Sequence, residues 1–174
     1  MTVAPAIRPA TPCDAAEIVR LGELMYAAVE VLATEEWRAN ALRQVQSRLA
    51  GADLIGWVID APDAETPDSL GKPLAASALI NVVPRLSPPG QTHDYRAYCQ
   101  WVSTDPRFQR RGYARALMER LLDYADATGF DVVELHSSPF GRNLYTSLGF
   151  APFPAVDYPS EVRGIPMIRK RPAN

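Results

Sequence analysis

Residues 102–114 read Val-Ser-Thr-Asp-Pro-Arg-Phe-Gln-Arg-Arg-Gly-Tyr-Ala, and they join the end of a predicted strand to the start of a predicted helix. The strand stops near Pro106, and the helix opens at Gly112. The first N–H groups of a helix have no partner within it, and the helix dipole places positive charge at the same end. Four arginines add full charges around this turn: Arg107, Arg110, Arg111 and Arg115. The segment therefore predicts a site that holds a phosphorylated ligand.

Signals on both sides of this turn predict an α/β fold. The helix over 112–128 carries apolar residues on one face, and it lies between apolar strands over 95–104 and 131–137. This strand–helix–strand unit is expected to be parallel and right-handed. The other predicted elements are helices over 12–32, 34–49 and 138–149, and strands over 2–8, 54–60, 74–83, 150–156 and 165–169. We predict a mixed central sheet of six or seven strands, flanked by about four helices.

The composition is that of an ordinary globular protein. The chain has 174 residues, of which 47% are hydrophobic and 22% are charged, and we expect a single domain over 1–174. The net charge of -2 argues against binding to nucleic acid or to a membrane surface. The sequence shows neither an apolar run of transmembrane length nor a secretory signal, so a cytoplasmic location is expected.

The two cysteines, Cys13 and Cys99, do not form a disulfide framework. Free thiols are the default for a chain that is expected in a reducing compartment. Neither cysteine has a nearby histidine or a second cysteine in sequence, so no metal site is predicted.

Two segments in this order resemble the markers of the GNAT N-acetyltransferase superfamily. Gln109-x-x-Gly112-x-Ala114 resembles the acetyl-CoA-binding signature, Gln/Arg-x-x-Gly-x-Gly/Ala. The segment over 144–150, Leu-Tyr-Thr-Ser-Leu-Gly-Phe, resembles the second marker, Leu-Tyr-x-x-Leu-Gly-Phe. The resemblance is dense over 102–153, and the order of elements is similar over nearly the whole chain.

The resemblance implies a fold in which the strand before the phosphate loop is splayed from its neighbour and binds the pantetheine arm of acetyl-CoA. The main-chain groups of Val102, Ser103 and Thr104 would contact that arm, and the amides over 110–114 would hold the pyrophosphate. The coenzyme contacts implied in this way are Val102, Ser103, Thr104, Gln109, Arg110, Arg111, Gly112, Tyr113, Ala114, Arg115 and Ser138. The alternative is a plain helix start with solvated arginines.

The resemblance implies two further residue roles and one departure from the family pattern. Tyr145 matches the tyrosine that protonates the leaving thiolate, although Tyr145 could instead be a packing residue of a short helix. Ser138 occupies the position where many relatives carry asparagine; its hydroxyl is expected to cap the following helix. Relatives often place a glutamate on the strand before the phosphate loop, whereas the alternate positions here are Tyr98, Gln100, Val102 and Thr104.

The general base is left open by the sequence. Candidates are His93, Asp94, Glu134 and His136, and His136 is the preferred one because it lies near a strand end and titrates near neutral pH. A water chain, or loss of the proton before binding, is an equal alternative. Candidates for the acceptor side are Glu23, Tyr26, Glu30, Trp37 and the loop over 84–95.

The resemblance implies an enzyme that moves the acetyl group of acetyl-CoA to a primary amine of a small molecule or peptide. Two alternatives stay open: a protein N-terminal or lysine acetyltransferase, and a catalytically silent acyl-CoA-binding module. A homodimer is compatible with the sequence.

Overall fold

The computed structural model of the protein describes residues 5–51, 53–62, 72–84, 86, 89, 94–153 and 164–172. The helices are α1 (Ala15–Ala27), α2 (Glu35–Gly51), α3 (Tyr113–Thr128) and α4 (Arg142–Ser147). The strands are β1 (Ile7–Pro9), β2 (Leu54–Asp60), β3 (Leu74–Pro84), β4 (Tyr95–Thr104), β5 (Val132–Ser137), β6 (Ala151–Pro152) and β7 (Ile165–Lys170). Short 3-10 turns cover Pro12–Asp14 and Pro106–Phe108.

The strands form one mixed sheet in the order β1-β2-β3-β4-β5-β7-β6. Every neighbouring pair is antiparallel except β4 and β5, which are parallel. This confirms the predicted mixed sheet and the parallel strand–helix–strand unit. The last part of the predicted strand over 150–156 lies outside the described residues, as do residues 2–4 of the predicted strand over 2–8.

Two predicted helices are shorter in the structure. α1 ends at Ala27 rather than near Leu32, because Glu30 takes a left-handed conformation (φ 62°) that closes the helix. α4 begins at Arg142 rather than at Pro139. Ser138 therefore does not cap the helix; its carbonyl and hydroxyl oxygens accept the amide of Gly141, at 3.1 and 3.3 Å, and close a turn before the helix.

Each face of the sheet has its own core. On one face, the apolar side of α3 packs with Tyr145, Phe150 and the inward residues of β2 to β5. On the other face, α1 and α2 bury residues such as Ile18, Leu21 and Val45 against β2 and β3. Among the described residues, helices thus pack on both faces of the sheet.

The parallel strands β4 and β5 separate after a short contact. Their register includes only Ala97↔Val133 and Tyr98↔Glu134. Beyond these pairs each strand keeps its outer neighbour, since β3 follows β4 as far as Thr104 and β7 follows β5 as far as Ser137. The carboxyl ends of both strands therefore flank a cleft in the middle of the sheet, which is where α/β sheets commonly bind ligands.

A bulge in β4 changes the direction of its side chains at this cleft. The register with β3 shifts between Ser77 and Leu79, and Trp101 has a positive φ of 50°. The indole of Trp101 lies over Gly22 of α1, where an added Cβ would come within 3.0 Å of Trp101 Cε3. Ser103 Oγ then donates to the carbonyl of Leu21 at 2.7 Å.

Because of the bulge, the side chains of β4 do not alternate between the two faces of the sheet along the whole strand, as the sequence predicted. Before it, Ala97 and Cys99 face α3; after it, Val102 packs against that same core, whereas Trp101 and Ser103 face α1. The extra residue means that Tyr98 and Val102 do not share a face, so strict alternation is wrong for the last part of β4.

Candidate active site

The phosphate loop combines left-handed backbone with unpaired amides. Arg110 and Gly112 have φ of 63° and 81°, and the first helical hydrogen bond of α3 runs from Ala116 N to Gly112 O at 3.0 Å. Within the described segment 94–153, the amides over 110–115 have no backbone acceptor. A Cβ on Gly112 would meet no atom within 4 Å. Glycine is therefore favoured here by the backbone angle, and the open space above it can admit an anion.

The four arginines around the loop differ in how they are engaged. Arg107 pairs with the buried carboxylate of Asp105 at 2.9 Å, and Arg20 of α1 contacts the same carboxylate at 2.8 Å. These contacts, led by the hydrogen bonds from Arg107, hold the pKa of Asp105 far below its usual range. Arg115 donates to Ser147 Oγ at 2.7 Å. Arg110 and Arg111 are exposed and pair with no carboxylate among the described residues.

The end of β4 presents one buried polar atom without a partner. Thr104 Oγ1 is buried and, in the part of the chain that the structure describes, has no hydrogen bond. Such a hydroxyl costs about 1–3 kcal/mol unless something satisfies it. Ser103 differs, because its hydroxyl is already committed to α1. The residues at the end of β4 therefore fit a ligand that supplies hydrogen-bonding groups beside the loop.

Tyr145 lies in the core between α4 and the sheet. Its ring meets Phe150 edge to face, with the centroids 5.9 Å apart, and a Cβ on Gly141 would come within 2.7 Å of Tyr145 Cε2. The side chain is 8% exposed. Burial raises the pKa of Tyr145, with a smaller contribution from nearby Cys99. The phenol therefore stays protonated throughout the physiological range.

Tyr98 and His136 meet across the mouth of the cleft. Tyr98 belongs to the last registered pair of β4 and β5, and its hydroxyl lies 2.8 Å from Nδ1 of His136, two residues further along β5 than Glu134. Burial lowers the pKa of His136, and the charge of Glu134 opposes that effect. The imidazole is thus mainly neutral at pH 7, the form that a base needs.

The other candidates for the base lie elsewhere. Asp94 is exposed before β4, and Glu134 pairs with Arg96 at 3.3 Å. His93 falls outside the described residues. No group of three or more His, Cys, Asp or Glu in the described ranges is arranged to hold a metal ion.

The acceptor-side candidates separate into two groups. Glu23 is bound by Arg38, with Nε of Arg38 at 2.9 Å from Glu23 Oε2. Tyr26 and Trp37 pack with Trp101 in an aromatic cluster, with ring centroids 5.8–6.3 Å apart. Glu30, by contrast, forms no ion pair with a described residue and lines a cavity of about 530 Å³ at the end of β5.

This cavity is a feature that the sequence did not reveal. It is lined by Ala28, Val29, Glu30, Ser137, Ser138, Pro139, Phe140, Gly164 and Ile165. They come from the end of α1, the end of β5 and the start of β7, which are far apart in sequence. No local sequence signal marks it, because the left-handed Glu30 and the 81% exposed Phe140 are properties of the folded chain.

Comparison with known proteins identifies the class. Residues 27–150 match the family described as the acetyltransferase (GNAT) family, and the chain belongs to that family. A segment of 70 residues is 36% identical to GCN5-related N-acetyltransferase 1, chloroplastic, of Arabidopsis thaliana, and it covers 40% of this chain and 33% of that relative. The chain thus spans about a third of the length of that curated relative.

Solved structures show the same fold. A GCN5-related N-acetyltransferase from Ralstonia eutropha JMP134 is 22% identical with a TM-score of 0.73, covering 90% of this chain and 98% of that one. A predicted acetyltransferase from Clostridium acetobutylicum, solved with acetyl-CoA, is 18% identical with a TM-score of 0.73, covering 92% and 95%. None of the helices in the described part of this chain has the length and hydrophobicity to span a bilayer.

Proposed function

We propose that this chain transfers the acetyl group of acetyl-CoA to a primary amine of a small molecule or peptide. The observation that carries the proposal is the cleft between β4 and β5, which leads to a loop of unpaired amides at the start of α3. An extended pantetheine can bind the free edge of β4 as an added strand would. The pyrophosphate would accept hydrogen bonds from the amides over 110–114, with Arg110 and Arg111 adding charge.

Residues at the end of β4 fit the arm of this coenzyme. Val102 and Ser103 would contribute their main chains, and Thr104 its main chain and its unpaired hydroxyl. Gln109, Tyr113, Ala114 and Arg115 lie in or directly after the loop, and Ser138 lies at the end of β5 across the cleft. The left-handed Trp101 offers the main chain of the bulge as a donor for the oxyanion that develops on the thioester.

The reaction requires two proton movements. The amine nitrogen forms a bond to the acetyl carbon while the carbon–sulfur bond breaks, so the nitrogen must lose a proton and the thiolate must gain one. Tyr145 is the proposed donor to sulfur, because its raised pKa keeps the phenol protonated. His136 is the proposed acceptor of the amine proton. In that role Nδ1–H donates to the oxygen of Tyr98, and Nε2 is the basic atom.

One observation favours the catalytically silent acyl-CoA-binding module as a second candidate. Tyr145 is only 8% exposed and packs on Phe150 as a core residue would. A module of this kind would bind the coenzyme with the same loop and cleft but would not depend on the phenol.

The test combines binding with turnover. Acetyl-CoA should raise the melting temperature, because it binds the native state only, and release of the CoA thiol should depend on an added amine. Tyr145→Phe should lower kcat about a hundredfold and leave the acetyl-CoA shift intact. Tyr124→Phe, which alters a phenol whose ring lies tilted against Trp57 with the centroids 5.2 Å apart, is the matched control and should change neither.

The outcomes separate the candidates. No melting shift at millimolar acetyl-CoA contradicts the coenzyme assignment. A shift without turnover on a broad panel of amines supports the silent module, and full activity of Tyr145→Phe shows that Tyr145 is a packing residue.

A further inference from the structure

The cavity beside Glu30 adjoins the proposed reaction site. Its wall includes Ser137 and Ser138, which follow His136 directly at the carboxyl end of β5. That end of β5 is one side of the cleft opened by the separation of β4 and β5. A volume of about 530 Å³ suits a small organic molecule.

The wall of the cavity is mainly apolar. Its apolar side chains are Ala28, Val29, Pro139, Phe140 and Ile165. The two serine hydroxyls already have partners within the fold: Ser137 Oγ donates to Ser138 O at 2.7 Å, and Ser138 Oγ accepts Gly141 N at 3.3 Å. Most of the described surface therefore offers dispersion contact rather than hydrogen bonds.

Glu30 supplies the charge of the cavity. Among its described lining residues Glu30 is the one ionisable side chain, and no lysine, arginine or histidine is present there. Glu23, within the helix that Glu30 closes, is held by Arg38, whereas Glu30 has no such partner in the described part of the chain. The carboxylate can therefore attract a cation, and nothing described in the wall would neutralise an anion.

The backbone of Glu30 is an unusual one for glutamate. Its φ of 62° closes α1, with Val31 N donating to Tyr26 O at 3.0 Å. Glycine or asparagine is the usual residue at such a helix end, because a larger side chain is strained there. A strained residue that persists beside a cavity is typical of functional sites.

Building on the acetyltransferase function proposed above, we infer that this cavity binds the acceptor, and that the acceptor is a small primary amine with an uncharged, apolar substituent. Its ammonium pairs with Glu30 on entry, and its substituent packs on Val29, Phe140 and Ile165. An acceptor with an anionic group meets the carboxylate of Glu30 without a compensating cation. One with a second ammonium buries that charge against an apolar wall.

A matched set of amines tests the substituent. n-Hexylamine, 6-aminohexanoate and 1,6-diaminohexane each carry a primary amine at one end of a six-carbon chain, and their other ends are a methyl group, a carboxylate and a second amine. The kcat/KM of the diamine is halved for the comparison, because its two amines are equivalent. With saturating acetyl-CoA, kcat/KM measured by release of the CoA thiol should be highest for n-hexylamine, by about tenfold or more. Equal or faster turnover of 6-aminohexanoate or 1,6-diaminohexane overturns the inference.

Substitutions test the role of Glu30. Glu30→Gln should raise KM for n-hexylamine about tenfold while the acetyl-CoA melting shift stays unchanged. Glu30→Gly should show the same rise in KM together with a small gain in melting temperature, because it removes both the carboxylate and the backbone strain. Glu36→Gln removes one negative charge from the exposed first turn of α2 and should leave KM unchanged. An unchanged KM in both Glu30 variants overturns the role of the carboxylate.

Acetyl-CoA binding and the identity of the acetylated amine together separate this inference from the proposed function. If acetyl-CoA gives no melting shift, the proposed function and the inference fall together. If acetyl-CoA binds and a glucosamine phosphate or a free peptide N-terminus is acetylated while n-hexylamine is inert, the acetyltransferase function stands and the inference is wrong.

Discussion

The phosphate loop and the Glu30 cavity present different kinds of atoms. The loop offers main-chain amides, arranged by left-handed residues at Arg110 and Gly112. The cavity offers side chains, brought together from α1, β5 and β7. Main-chain groups are the same in every residue, so a short local sequence can specify how they are placed. Side-chain chemistry depends on which residues the whole fold collects, so a short local sequence does not specify it.

The largest effect tests how much the ion pairs of Asp105, just before the loop, stabilise the protein. Asp105→Asn leaves Arg20 and Arg107 without their shared carboxylate, and it should lower the free energy of unfolding by about 2–3 kcal/mol. The folded-state pKa of Asp105 is depressed, so its contribution is complete above the unfolded pKa of about 4 and is lost as the pH falls. Urea unfolding between pH 7 and pH 2 measures both effects.

The control for this experiment is Asp131→Asn. Asp131 contacts Arg171 at 3.4 Å near the surface, and its loss should cost less than about 1 kcal/mol. If the difference between the native protein and Asp105→Asn were the same at pH 2 as at pH 7, the ion pairs of Asp105 would not be its source.

The next effect tests whether the backbone determines coenzyme binding. Gly112→Ala penalises the left-handed conformation and should weaken acetyl-CoA binding about tenfold, as measured by calorimetry. Gly129→Ala places the same penalty at the other end of α3, where φ is 91°. It should lower the free energy of unfolding by a similar amount without weakening the binding of acetyl-CoA. Equal acetyl-CoA affinity in the two variants would contradict the idea that the loop, unlike the cavity, binds its ligand through the placement of its backbone.

A smaller effect is expected from the charges of the loop. Arg111→Ala removes an exposed guanidinium that lies over the ring of Phe108, 5.3 Å from its centroid. Acetyl-CoA affinity should fall only about threefold, and the loss should shrink at high salt because exposed charges are screened. A loss larger than that of Gly112→Ala would show that side chains, rather than amides, dominate the coenzyme side.

The smallest effect concerns the proton acceptor. If Nδ1–H of His136 donates to Tyr98, the hydrogen bond favours the imidazolium, so Tyr98→Phe should lower the pKa of His136. The acid limb of the kcat/KM profile should then move to lower pH by about half a unit. A shift to higher pH would mean that Tyr98 donates to Nδ1 and that Nε2 carries the proton, which excludes His136 as the base.

The parts that sequence predicted well were those set by local rules. Gly112, the arginines and the start of α3 follow one another in the chain, so their geometry needs no tertiary information. The parallel pairing of β4 and β5 followed from one intervening helix. Ser138 was assigned to the wrong element, because a serine–proline pair that resembles a helix start instead closes a turn before Gly141.

The features missed from sequence depend on contacts between distant segments. The residues next to Trp101 do not predict its left-handed conformation. Its indole packs over Gly22, 79 positions earlier in the chain, where the missing side chain leaves room for it. The role of Glu30 as a helix-closing residue was hidden because glutamate is rare at that position. The cavity lies where three distant segments of the chain come together. The hydrophobic periodicity of a single segment cannot predict such a contact.

The early separation of β4 and β5 also bears on how the protein opens. Two registered residue pairs join the half of the sheet formed by β1 to β4 to the half formed by β5 to β7. A molecule lying between the strands supplies hydrogen bonds that the sheet lacks, and it couples the two halves mechanically. Backbone amides along the cleft should therefore exchange with deuterium more slowly when acetyl-CoA is bound, and the two halves should unfold as one cooperative unit.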